Sequence, residues 1–128
     1  MPKIKHIAVT TNDLAGSAEF YKGAFGLKEI LRDDEKVILT DGYIVFALLV
    51  FEADKYGGGR PGLHHFGFEI DDMDAIEEKM RELGGRETTE YNETYGNREG
   101  MPDNWVGEKK WTDPQGVAFD INPTGWGH

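Results

Sequence analysis

The chain has 128 residues, enough for one domain with its own core; 38% of them are apolar and 12% are aromatic. A formal net charge of −10 repels phosphate backbones and argues against a nucleic-acid partner. No cysteine is present, which excludes disulfides, thiolate metal sites and a cysteine nucleophile.

The acidity is concentrated in the second half. Residues 1–60 hold 8 Lys/Arg against 9 Asp/Glu, and residues 61–128 hold 6 against 15. The opening MPKIKHIAVT lacks the apolar stretch of a signal peptide, and no basic amphipathic segment suggests a membrane surface. The longest apolar run, YIVFALLVF at 43–51, is far too short to span a bilayer. The expectation is a cytoplasmic protein with no membrane partner.

Ile4 to Thr10 reads as a strand, and Asp13 then caps a helix over about 14–25, with Leu14, Ala18, Tyr21 and Phe25 at helical spacing and Gly26 as its stop. Three strands follow, LKEIL at 27–31, KVILT at 36–40 and YIVFALLVF at 43–51, the last two joined by a two-residue hairpin at Asp41-Gly42. Gly57-Gly58-Gly59 and Pro61 mark a loop. His65 to Ile70 reads as a strand. Asp72 caps a helix to about Leu83, with Ile76, Met80 and Leu83 on one face and Glu77, Glu78, Lys79, Arg81 and Glu82 on a solvated face. Residues 87–104 are polar and read as a long loop. A strand through Val106 to Thr112, a turn at Asp113-Pro114-Gln115-Gly116 and a strand at 117–121 complete the chain.

The order strand, helix, strands occurs twice, at an offset of 59. His6 then falls on His65, Asp13 on Asp72 and Gly26 on Gly85. This pattern reads as an α+β fold built by duplicating a βαβββ unit, with unit one over about 1–56 and unit two over about 62–122 of a single domain.

Strand alternation sorts the faces. His6, Ala8 and Thr10 share one face of the first strand, and Ile7 and Val9 share the other. His65, Gly67 and Glu69 lie opposite His64, Phe66, Phe68 and Ile70. Ala118, Asp120 and Asn122 lie opposite Phe119 and Ile121. The greasy faces should pack on helices, taking His64 with them. The other faces set His6, His65 and Asp120 among small neighbours, as a ligand-sized site requires. Two histidines and one carboxylate match the facial triad of metal sites with open coordination positions, for which Fe(II) or Mn(II) is the better fit and Zn(II) or Ni(II) an alternative.

KIKHIAVTTNDLAGSAEFYKGAFGL resembles the opening of vicinal-oxygen-chelate proteins, the superfamily of glyoxalases, bleomycin-resistance proteins and extradiol dioxygenases. HFGFEIDDMDAIEEKMRELGG is similar to their second unit, and DPQGVAFDI to their closing turn and strand. The resemblance covers nearly the whole chain. It implies two βαβββ units forming a cupped, barrel-like mixed sheet with helices outside. It also implies a divalent metal held by His6, His65 and Asp120, within one chain or across a homodimer. Two departures stand out: Asp120 replaces the usual glutamate, and Ala47 stands about where glyoxalase-like members carry a fourth, carboxylate ligand, which argues against a glyoxalase I reaction.

The function expected is therefore a metal-dependent enzyme, dioxygenase-like or lyase/isomerase-like, acting on a small molecule with vicinal oxygens. A metal-free drug-binding or resistance protein of the same fold is the alternative. No acid or base stands out; Glu69, four residues beyond His65 on the same face, is a weak candidate. Tyr91, Tyr95, Trp105 and Trp111, in or beside the long loop, are candidates for contact with the substrate.

Overall fold

The computed structural model describes residues 1–51, 61–88 and 108–126. The first five elements are β1 (Lys3–Thr11), α1 (Leu14–Phe25), β2 (Lys28–Arg32), β3 (Lys36–Thr40) and β4 (Val45–Val50). The next five repeat the order: β5 (Gly62–Glu69), α2 (Met73–Glu82), β6 (Arg86–Glu87), β7 (Lys109–Thr112) and β8 (Ala118–Asn122). Both helices start where the sequence places an aspartate cap. The Asp13 carboxylate accepts from the Gly16 N–H at 2.9 Å, and that of Asp72 from the Ala75 N–H at 3.0 Å. Gly26 ends α1 at φ 72°, a left-handed conformation that glycine adopts without a Cβ clash.

Pairing repeats along with order. β1 runs parallel to β4, β4 antiparallel to β3, and β3 antiparallel to β2. Correspondingly, β5 runs parallel to β8, β8 antiparallel to β7, and β7 antiparallel to β6. The strands of one unit run in the order β2-β3-β4-β1 and those of the other in the order β5-β8-β7-β6, each a mixed parallel and antiparallel set. The chain divides into two compact units, Lys5–His65 and Met1–Ile4 with Phe66–Gly127.

Each unit has its own core, on the face the alternation predicts. In Lys5–His65, Ala18 of α1 packs with Val37, Leu39 and Leu48, joined by Val9, Leu14, Tyr21, Leu27 and Phe46. In the other unit, Ile70, Trp111, Phe119 and Ile121 pack with Phe66, Phe68 and the α2 residues Met73, Ile76 and Met80. The apolar stripe of each helix therefore meets the apolar parity of its strands.

The structure corrects four local expectations. The β3–β4 connection has four residues rather than two, because Thr40 pairs with Val45. Asp41 holds the longer turn by accepting from the N–H groups of Tyr43 and Ile44 at 2.8 and 2.7 Å, bonds that also lower its carboxyl pKa. β5 begins at Gly62, ahead of His65. Arg86 and Glu87 pair with Thr112 and Trp111 as a short strand, which takes Glu87 out of the loop expected over 87–104. Glu77 is buried, at 4% exposure, rather than solvated. It lies four residues after Met73 and three before Met80, at the margin of the buried stripe, where its carboxylate meets Lys109 Nζ at 3.1 Å and Arg81 at 3.9 Å.

Candidate metal centre

The unit Lys5–His65 supplies two histidines. Along β1, His6, Ala8 and Thr10 are buried, while Ile7 and Val9 on the opposite parity are partly buried. Ala8 pairs with Ala47 on β4, so a methyl group with no ligand atom stands on the histidine's face at that position. His65, also buried, brings its Nε2 to 3.3 Å from Nε2 of His6. That distance suits two nitrogens sharing an ion: bound at about 2.1 Å and roughly 90–109° apart, they would lie about 3.0–3.4 Å from each other.

His64 does more than its parity implies. It is half-buried, and its Nδ1 contacts Nδ1 of His65, with the rings edge to face and 4.8 Å between centroids. In the tautomer with its proton on Nδ1, shared with His64, His65 would turn the lone pair of Nε2 toward His6. This is how an outer partner fixes the tautomer of a ligand histidine.

The other unit supplies Asp120 from β8, with no exposed surface. Register sets its neighbours: Gly67 of β5 lies on one side and Lys110 of β7 on the other. Gly67 contributes no side chain to that face. Lys110, itself buried, places Nζ 2.5 Å from Asp120 Oδ1. Glu108 joins the group. Its carboxylate accepts from Trp126 Nε1 at 2.8 Å, and burial, together with the negative charge of Asp120, pushes its pKa from 4.5 up to about 7. Sequence reasoning missed Lys110 and Glu108. The signal for Lys110 was present, because if Trp111 faces the core then its neighbour must face the other way.

His6 and His65 lie together in one unit, and Asp120 is buried in the other. The donor set, two imidazoles and one carboxylate, fits a divalent cation with open positions. Glu69 is half-buried on β5, with its carboxylate against Gly125, whose added Cβ would meet Oε1 at 3.2 Å. Trp111 is a core residue with no exposed surface, and the Arg81 guanidinium lies 5.2 Å from its ring centroid; this contrasts with the ligand contact expected of it. Tyr91, Tyr95 and Trp105 lie outside the described residues.

A family model for the Glyoxalase/Bleomycin resistance protein/Dioxygenase superfamily matches residues 3–121. The chain belongs to this superfamily. The match spans the three motifs that carry the resemblance in sequence. No curated protein matches the chain. Solved structures share the superfamily fold at low identity. A hypothetical protein from Bacillus halodurans is 18% identical with a TM-score of 0.65, over 94% of this chain and 93% of that one. A variant of the Streptomyces coelicolor methylmalonyl-CoA epimerase, in complex with 2-nitronate-propionyl-CoA, is 20% identical with a TM-score of 0.59, over 93% and 94%. Homoprotocatechuate 2,3-dioxygenase from Arthrobacter globiformis is 19% identical with a TM-score of 0.63, but this chain, 94% covered, spans only 35% of it. Among the described residues, no helix is long and apolar enough to cross a membrane.

Proposed function

We propose that this protein is a metal-dependent enzyme of the superfamily, acting on a small molecule that presents two adjacent oxygens. The observation that carries the reading is the approach of His6 Nε2 and His65 Nε2 to 3.3 Å, with the buried Asp120 proposed as the carboxylate that completes the set. A divalent cation bound there, Fe(II) or Mn(II) by preference and Zn(II) or Ni(II) otherwise, supplies Lewis acidity and open positions for substrate oxygens. His6 and His65 bind it as neutral imidazoles, so retention weakens in acid. His64 orients His65, and Ala8, Ala47 and Gly67 keep side chains out of the space a substrate needs. Glu69 is the proposed proton acceptor, and Tyr91, Tyr95 and Trp105 are the proposed substrate contacts; Trp111 is left out because it is spent in the core. A homodimer in the cytoplasm is part of the same reading.

One observation favours a second reading. Lys110 neutralises Asp120 without any metal, as a metal-free small-molecule or drug-binding protein of the same fold would need. Elemental analysis of tag-free protein separates the two. A stoichiometric metal that disappears in both His6→Ala and Asp120→Ala supports the enzyme. Absence of metal under every supplementation, with tight binding of an aromatic ligand, supports the binding protein.

Reaction type follows from oxygen uptake with catechols, for a dioxygenase, or from proton exchange next to a carbonyl, for a lyase or isomerase. Loss of that exchange in Glu69→Gln with metal content intact supports the role given to Glu69. Activity regained on mixing His6→Ala with Asp120→Ala subunits would mean that the site is shared across the dimer.

A further inference from the structure

The ion pair between Lys110 and Asp120 lies wholly within the unit Met1–Ile4 with Phe66–Gly127. Both side chains are buried, at 6% and 0% exposure, and adjacent strands hold them directly opposite each other. An ionised carboxylate removed from water requires a compensating positive charge. The ammonium meets that requirement on Oδ1 of the residue that a divalent cation would also use.

We infer that Lys110 is a built-in stand-in cation, which competes with the divalent metal for Asp120 and so sets the affinity of the metal site. This inference rests on the metal-site reading proposed above. The lysine keeps Asp120 neutralised while the site holds no metal. Its four-carbon stem with rotatable bonds allows Nζ to withdraw from the carboxylate when a metal arrives, without moving the strand. Withdrawal has a destination, because Glu108, two residues before Lys110, presents a second carboxylate in contact with Asp120. The competition costs metal affinity twice: the charged hydrogen bond must be broken, and the ammonium then remains near a like charge.

The test is calorimetric titration of Mn(II) into the metal-free full chain, comparing wild type with Lys110→Met and Lys110→Gln. Thermal melts are run with and without Mn(II). A buried charge-assisted hydrogen bond predicts that either substitution tightens Mn(II) binding by roughly 10- to 100-fold. It further predicts that metal-free Lys110→Met melts below wild type, with the deficit recovered when Mn(II) is added. Wild type that binds Mn(II), with variants that bind no more tightly, overturns the inference and leaves the metal site standing. Failure of wild type and both variants to bind Mn(II) overturns the metal site itself, and this inference with it. If Lys110→Met folds only in the presence of Mn(II), the inference is supported. If neither variant folds even with Mn(II), it is overturned, because a metal at Asp120 should replace the missing ammonium.

Discussion

Glu108 should give this protein a stability that falls as pH rises through neutrality. Its carboxyl is pushed from 4.5 up to about 7, chiefly by burial and next by the negative charge of Asp120. The unfolded chain releases the proton near 4.5, whereas the folded chain holds it until about pH 7. The stabilising contribution is therefore complete below pH 4.5 and is lost as pH climbs through 7. A rise of this size corresponds to about 3 kcal/mol. Glu108 remains partly accessible, and solvent screening lowers the expected figure to about 2 kcal/mol. Glu108→Gln keeps an acceptor for Trp126 Nε1 and fixes the group in an uncharged form. Urea unfolding with chelator present, at about pH 5 and about pH 8, should show wild type losing about 2 kcal/mol more than the variant between the two conditions. A stability difference between the two proteins that is constant to within about 0.5 kcal/mol across that range would refute the burial argument.

Three further outcomes follow from packing and capping. Trp111→Ala should lower unfolding stability by about 3–5 kcal/mol in denaturant melts, because it empties the centre of the core beneath α2. Glu77→Ala should cost about 1 kcal/mol by removing its ion pair with the half-exposed Lys109, whereas Glu78→Ala one residue on should stay within about 0.5 kcal/mol. Equal effects at the two positions would show that the ion pair is energetically idle. Asp13→Ala and Asp72→Ala should each lower stability by about 1 kcal/mol, and double substitution should be additive because the caps serve different helices.

Alternation and helical spacing were legible in the sequence because they are local. Strand parity places His6 with Ala8 and His65 with Gly67, and the structure buries all four. Asp13, Gly26 and Asp72 mark helix ends because caps act within one turn. The repeated order, strand then helix then strands, is likewise a property of the linear pattern, and pairing in each half reproduces it. The turn at 41–44 escaped because an Asp-Gly pair fits both a two-residue hairpin and the wider loop that Asp41 closes with two backbone bonds.

What the sequence determined by itself is therefore a duplicated α+β pattern and the strand faces that carry two histidines and a carboxylate. Tertiary structure decided the partners of those groups. Lys110 reaches Asp120 only because the turn at Asp113–Gly116 sets one register between β7 and β8; a shift of one residue would bring the core parity of Trp111 opposite Asp120 instead. The contact of His64 with His65 depends on ring orientation at a strand end, which parity does not specify. Burial of Glu77 depends on where the sheet meets the margin of α2. Each of these is a distance between residues on different elements or a side-chain rotation, and residue spacing along a chain constrains neither.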